Sequence, residues 1–326
     1  LPTERRVAVA RGTRGIVTTG HAAATDAALA VLRSGGNAVD AAVTAALALA
    51  VVAPYATSLG GELFALVYEP GTRAVRGLNA TGYAPAAAVP ALFPDGPPRN
   101  GVRSATVPAL ARGLDDLLAR YGTMPFAQLA QPAIRLAADG FTVHPTLAEN
   151  ARERRDLLAR DPVASALFLP GGEPLAAGSR FVQPDLARVL QTLADEGVAA
   201  FYQGPLAERI AAACARAGGL IDAADLAAHA SLWQAPLSVP FFGHDVWTMP
   251  PNSYGATLLL QLLDLAGAGI ATIDPATRAF VDVGIAARRR AYKTAAPWMA
   301  DPRIGESAAG AALAAAVAAG GYAAAA

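Results

Sequence analysis

Cysteine is nearly absent from this chain: among 326 residues, Cys214 stands alone. A single thiol excludes an internal disulfide and a multi-thiolate zinc site. Lysine is as scarce, with Lys293 the sole example, so the other basic residues are arginines. The 26 basic residues are balanced by 26 acidic ones. A zero net charge speaks against a phosphate-tracking surface, and so against nucleic acid as a partner. Charged residues make up only 16% of the chain and apolar ones 54%, which excludes an intrinsically disordered chain. Long hydrophobic runs are also missing. Ala41 to Ala53 is interrupted by Thr44 and stops at Pro54, short of the about 20 residues that a membrane span requires. It reads as a buried helix.

The usual catalytic signatures are absent as well. There is no Gly-x-Ser-x-Gly elbow, no His-Glu-x-x-His and no phosphate-cradling Gly-Lys-Ser. No period of 20 to 50 residues marks a repeat array. The four histidines, His21, His144, His229 and His244, are scattered and read as capping or hydrogen-bonding residues. Cys214 falls in an apolar helical stripe and reads as core. Asp115-Asp116 and Asp195-Glu196 read as solvated helix faces. No metal site and no cofactor is expected. The chain begins at Leu1, which leaves a removed leader open, and with it the choice between cytoplasm and periplasm.

What is present reads as mixed α and β structure. Gly15 to Thr19 suggests a first strand, and Ala22 to Arg33 a helix ended by Gly35 and Gly36. Asn37 caps the next, all-apolar helix. Phe64 to Tyr68 and Ala74 to Leu78 flank Glu69-Pro70-Gly71-Thr72 as a hairpin. A proline-rich linker from Pro85 to Pro98 leads into a mainly helical middle section, with apolar stripes through Leu114, Leu190 and Leu206. Leu237 to Phe241 and Asp245 to Thr248 form a second hairpin, before a leucine-rich helix from Ala256 to Leu265. Local hairpins favour antiparallel sheets over a parallel one. The tail from Ser307 is almost all Ala and Gly, with Leu313, Val317 and Tyr322 its only bulky side chains; residues 303–326 are expected to be poorly defined.

Several blocks, taken in order, carry a resemblance. They are Gly15-Ile-Val-Thr-Thr-Gly-His21, Ser34-Gly-Gly-Asn-Ala-Val-Asp-Ala-Ala42, Ser58-Leu-Gly-Gly61, Tyr121-Gly-Thr-Met-Pro125, Pro132-Ala-Ile134, Asp139-Gly-Phe141, Phe201-Tyr-Gln-Gly204, Gly218-Gly-Leu220, Met249-Pro-Pro-Asn-Ser253 and Ala300-Asp-Pro302. Together they resemble the large subunit of γ-glutamyltranspeptidases, members of the N-terminal nucleophile hydrolases. The resemblance implies a four-layer αββα fold, with residues 1–326 forming one large-subunit domain. It also implies a precursor that cuts itself before an internal threonine. That threonine then opens a smaller subunit, attacks an amide with its hydroxyl and uses its own α-amine as base. No such stretch follows Asp301-Pro302 in these residues, so the resemblance places no catalytic residue here. The implied partners are a small subunit from the same precursor and a small-molecule amide.

Four residues stand where the resemblance implies contact with substrate: Thr81, Tyr83, Glu62 and Tyr254. The family's Arg-Glu-x-Ala-Pro loop, whose arginine pairs the α-carboxylate of glutamate, becomes Thr81-Gly-Tyr83-Ala-Pro85. A hydroxyl cannot replace the bidentate fork of a guanidinium. The family's four glycines become Gly60-Gly61-Glu62-Leu63, and Tyr254 replaces a small residue before the late helix. The expected activity is therefore an amide hydrolase whose acyl group is not γ-glutamyl, such as an oxamate-type amide or an acylase substrate. The alternatives are a γ-glutamyl hydrolase or transpeptidase in which Arg73, Arg76, Arg99 or Arg103 takes the carboxylate, and a non-catalytic binding protein that keeps the fold.

Overall fold

The computed structural model describes residues 9–303 and 309–318. The helices in chain order are α1 (Ala22–Arg33), α2 (Ala38–Val52), α3 (Leu110–Tyr121), α4 (Phe126–Asp139), α5 (Pro145–Glu153), α6 (Arg155–Leu158) and α7 (Pro162–Phe168). They continue with α8 (Pro184–Glu196), α9 (Pro205–Arg216), α10 (Ala223–Ala228), α11 (Gly255–Gly267), α12 (Arg278–Ala295) and α13 (Ala309–Ala318). The strands are β1 (Leu63–Glu69), β2 (Ala74–Ala80), β3 (Phe141–Thr142), β4 (Arg180–Phe181), β5 (Leu232–Gln234), β6 (Leu237–Phe241) and β7 (His244–Thr248). The chain divides into two compact units, one made of Leu1–Glu62 with Ala84–Ala230, the other of Leu63–Tyr83 with Ser231–Ala326.

The first unit is helical. Ala and Val around most of α2 leave it no polar face, and it accordingly packs against both α1 and α4. Its start is held by a capping box: the Asn37 side chain accepts from the Val39 and Asp40 amides, and Asp40 accepts from the Asn37 amide at 2.9 Å. Asp40 is fully buried and also accepts from the Thr123 and Met124 amides and the Thr123 hydroxyl. It thereby ties the start of α2 to the turn before α4. Thr44, the residue that interrupts the apolar run, donates to the Leu129 carbonyl at 3.1 Å. Gln183 donates to the Val51 carbonyl at 2.8 Å. The only strands of this unit among the described residues are β3 and β4, two residues each.

The expected strand at Gly15 to Thr19 is not there. These residues form an irregular segment outside any sheet, and Ile16 is 60% exposed. Strand geometry requires a neighbour to take its backbone groups, and no described segment supplies one.

In the second unit, β1 pairs antiparallel with β2 from Leu63↔Ala80 to Glu69↔Ala74, and β2 pairs antiparallel with β5. The left-handed position in the connecting turn falls on Arg73, with φ of 54°. A second hairpin joins β6 to β7 and packs on α11. Its core unites Val239, Leu259, Leu260, Leu263, Ala291 and Leu313. Asp264 of α11 is buried and paired with Arg290 of α12, the guanidinium donating at 2.9 and 2.6 Å. The tail is helical from Ala309 to Ala318, and Leu313 is buried. The side chain of Val317 and all of Tyr322 lie outside the described residues. The sheets are antiparallel, and the α/β reading holds. Among the described residues no helix is long and apolar enough to cross a membrane.

Candidate functional site

The loop that carries Thr81 and Tyr83 continues directly from β2, and its first residues are locked by amides from three segments. Asn79, on the last turn of the pleat, donates from Nδ2 to Gln234 Oε1 at 3.0 Å and to Asn252 Oδ1 at 2.9 Å. Its own Oδ1 accepts from the Thr81 amide at 3.2 Å and the Thr81 hydroxyl at 2.7 Å. Asn252 closes the ring, donating from Nδ2 to Thr81 Oγ1 at 2.9 Å. Asn79 and Thr81 are each only 3% exposed. A buried network with every member satisfied is rigid, and it costs free energy to break one link. Thr81 is therefore a strut of the loop, with its hydroxyl used as donor and as acceptor.

Asn252 belongs to the Met249-Pro-Pro-Asn-Ser253 block, so the ring joins two motifs far apart in the sequence. That block is itself tightly turned: Ser253 donates to the Met249 carbonyl at 2.7 Å and accepts from the Gly255 amide at 3.1 Å. A side chain on Gly255 would meet Thr248 Oγ1 and the Met249 carbonyl, which explains glycine at the start of α11. Tyr254, 63% exposed, stands at the rim of a cleft of about 480 Å³ lined by Phe64, Leu66, Met249, Ser253 and Leu258. Its ring lies 5.7 Å from that of Tyr292. The lining of this cleft carries no charged side chain.

Tyr83 receives a cation. The Arg303 guanidinium lies over its ring, 4.6 Å from the centroid. Arg303 is held in turn by Asp301, donating from Nε and Nη2 to the two carboxylate oxygens at 2.8 Å each. Burial raises the Asp301 pKa, but the bonds and charge of Arg303 outweigh it, and the carboxyl ends below its ordinary range. Glu62 lies in the first unit, exposed, and its carboxylate accepts from Thr106 Oγ1 at 3.1 Å. Of the four expected site residues, Thr81 and Tyr83 thus share one loop, Asn252 links that loop to the segment of Tyr254, and Glu62 stands in the other unit.

Sequence reasoning missed Asn79, Asn252, Gln234 and Arg303. Arg303 follows the Asp301-Pro302 block by one residue and Asn252 lies inside the Met249-Pro-Pro-Asn-Ser253 block, which were the available signals; Asn79 and Gln234 had none. The hairpin arginines do not serve Thr81: Arg76 pairs with Glu69 at 3.2 Å near the far turn, about 17 Å along the strand at 3.3 Å per residue. Arg73 sits in that turn, and Arg99 and Arg103 are in the first unit. Cys214 is buried, as expected of a core residue. Among the described residues no group of three or more His, Cys, Asp or Glu is placed to hold a metal.

The family model described as gamma-glutamyltranspeptidase matches residues 24–320. The chain belongs to the gamma-glutamyltranspeptidase family. It is 33% identical over 298 residues to the glutathione hydrolase-like YwrD proenzyme of Bacillus subtilis, covering 90% of this chain and 57% of that protein. It is 35% identical over 308 residues to the acylase ACY 1 proenzyme of Pseudomonas sp. (strain SE83), covering 88% of this chain and 55% of that one. It thus spans about half the length of the curated relatives it matches. Among solved structures, the Helicobacter pylori gamma-glutamyltranspeptidase superposes with a TM-score of 0.85 at 29% identity, over 93% of this chain and 89% of that chain. The cephalosporin acylase from Bacillus halodurans gives 0.80 at 29% identity, over 93% and 59%. The fold of this family is therefore the fold of this chain.

Proposed function

We propose that this chain is the large-subunit part of a self-processed amidohydrolase that forms an acyl-threonine intermediate, and that its acyl group is not γ-glutamyl. Its 326 residues serve as one large-subunit domain, completed by a small subunit from the same precursor. Two coverage figures support the subunit reading: the chain matches nearly all of one chain of the Helicobacter pylori structure, but little more than half of relatives named proenzymes. The threonine hydroxyl, on the partner, attacks the amide carbonyl and passes its proton through its own α-amine to the departing amine. Water then releases the acyl group. Thr81, Tyr83, Glu62 and Tyr254 are proposed to shape the substrate pocket from this side, Thr81 by holding the loop.

The observation that carries the specificity is Thr81 itself, uncharged, buried and with its hydroxyl already bonded twice. It offers a substrate carboxylate nothing. Relatives named both glutathione hydrolase and acylase frame the choice, and the acylase side fits this loop better. The protein made from its whole gene should be assayed on γ-glutamyl p-nitroanilide and on acyl anilides without the α-amine. The acyl anilides should be turned over at least tenfold more efficiently. Efficient γ-glutamyl turnover, abolished by changing one of the arginines at 73, 76, 99 or 103, would overturn the specificity.

A further inference from the structure

An asparagine can be attacked by the main chain that follows it. The backbone nitrogen of the next residue reaches the side-chain carbonyl carbon and closes a five-membered ring, and glycine, with no Cβ, obstructs that approach least. Of the five asparagines in this chain, Asn100 alone precedes a glycine. The other four are followed by Ala38, Ala80, Ala151 and Ser253. Their side chains are also engaged. Asn37 donates to the Tyr121 carbonyl at 2.6 Å and Asn150 to the Thr146 carbonyl at 2.9 Å, while Asn79 and Asn252 belong to the amide ring around Thr81.

Asn100 and Gly101 are both exposed, in the irregular segment just before the single helical turn Val102–Ser104. Among the described residues nothing accepts from the Gly101 amide, and the Asn100 side chain makes no hydrogen bond. The site where a Cβ on Gly101 would stand has no described atom within 4 Å, so nothing crowds the attacking nitrogen. The carbonyl of Gly101 is the part that is held: it accepts from the Ser104 amide at 3.0 Å and the Ser104 hydroxyl at 2.8 Å. The turn is thus anchored on one side of Gly101 and leaves its N–H to solvent.

We propose that Asn100 is a site of spontaneous deamidation, with water as the only co-reactant. The Gly101 nitrogen gives its proton to solvent base and bonds to Cγ of Asn100. The Cγ–Nδ2 bond then breaks, and the amide nitrogen takes up protons from water and leaves as ammonia. Water opens the resulting succinimide at either carbonyl, giving aspartate or isoaspartate, and nothing is oxidised or reduced. Either product places a carboxylate beside Arg99. Because 26 acidic residues balance 26 basic ones, this event gives the chain its first excess of negative charge. Isoaspartate also lengthens the main chain by one methylene immediately before the turn anchored on Gly101.

The test holds the protein made from its whole gene at about 37 °C and neutral to mildly basic pH, with peptide mapping after digestion by pepsin in acid, where the reaction is quenched. The Asn100 peptide should convert to two products that each carry one more acidic group, while the other four asparagines stay intact. Conversion should be at least about tenfold faster at pH 8.5 than at 6.5, because the attacking nitrogen must first lose its proton. Its rate should lie within about tenfold of that in the guanidinium-unfolded chain, since the fold leaves this segment unprotected. Asn100→Gln, which would have to close a less favourable six-membered ring, should give no acidic product from this peptide. Conversion slowed by more than tenfold in the folded protein, independence of pH, another asparagine reacting first, or an acidic product persisting in Asn100→Gln would each overturn the assignment.

Discussion

The Thr81 hydroxyl donates to Asn79 Oδ1 across 2.7 Å, two residues back on β2. With Asn252 accepted on its other side at 2.9 Å, the pair converts a loop that could sample many conformations into one tied to the late Pro-Pro-Asn-Ser segment. The start of the loop is thereby fixed, because the ring spans residues 79, 81 and 252.

Thr81→Val keeps the shape of the side chain but removes both hydroxyl bonds. Asn252 Nδ2 then loses its acceptor inside the unit, and the cost should be about 1–3 kcal/mol. Urea unfolding should show a lowered midpoint with an unchanged slope, and Thr81→Ser should restore most of it. An unchanged midpoint in Thr81→Val would show that the ring does not hold the loop.

The N-caps of α1 and α5 are both imidazoles. His21 Nδ1 accepts from the Ala23 amide and His144 Nδ1 from the Thr146 amide, each at 3.2 Å, with the two rings 5.8 Å apart. An imidazole caps a helix only when it is neutral. Burial first, and then the charge of His144, hold the His21 pKa below its ordinary 6.5. A base depressed in the folded state gives stability that is fully present above the unfolded pKa and is lost as pH falls through the folded one. Stability should therefore decline from about pH 6.5 downward. His21→Asn, a cap without a titrating ring, should flatten that part of the profile in melts between pH 7.5 and 5. An equally steep fall in the variant would remove His21 from the explanation.

Asp40 is a second acid-sensitive point, in a lower window. Burial would raise its pKa, but bonds from the Thr123 hydroxyl and from the Asn37, Thr123 and Met124 amides outweigh this, and the carboxyl lies below its ordinary 3.8. The stabilisation is present above 3.8 and is lost as pH falls through the depressed folded value. Asp40→Asn turns one acceptor into a donor facing donors and should cost about 2–3 kcal/mol at neutral pH, read as a fall in the urea midpoint. A loss of unfolding free energy below about 0.5 kcal/mol, the level of an ordinary surface change, would contradict this.

Local grammar made much of the fold legible. The Ala22–Arg33 helix, the Asn37 cap and both hairpins follow from capping residues, turn residues and alternation acting over a few positions. The reading of scattered histidines as caps is met by His21 and His144 for the same reason. Gly15 to Thr19 was misread because its pattern is a strand's, whereas pairing depends on a neighbour that a local pattern does not reveal. The Asn79 to Asn252 bond joins residues 173 apart, and two asparagines at that separation carry no periodic signal. Tyr83 was found through the motif it sits in, but its partner Arg303 needed the folded chain, since cation stacking leaves no spacing rule behind.

The most direct test of the account is intact mass measurement and N-terminal sequencing of the protein made from its whole gene. Two polypeptides are expected, this chain in one and a companion that begins with threonine in the other. A single uncut polypeptide with full amidase activity, or a companion that begins with any other residue, would contradict it.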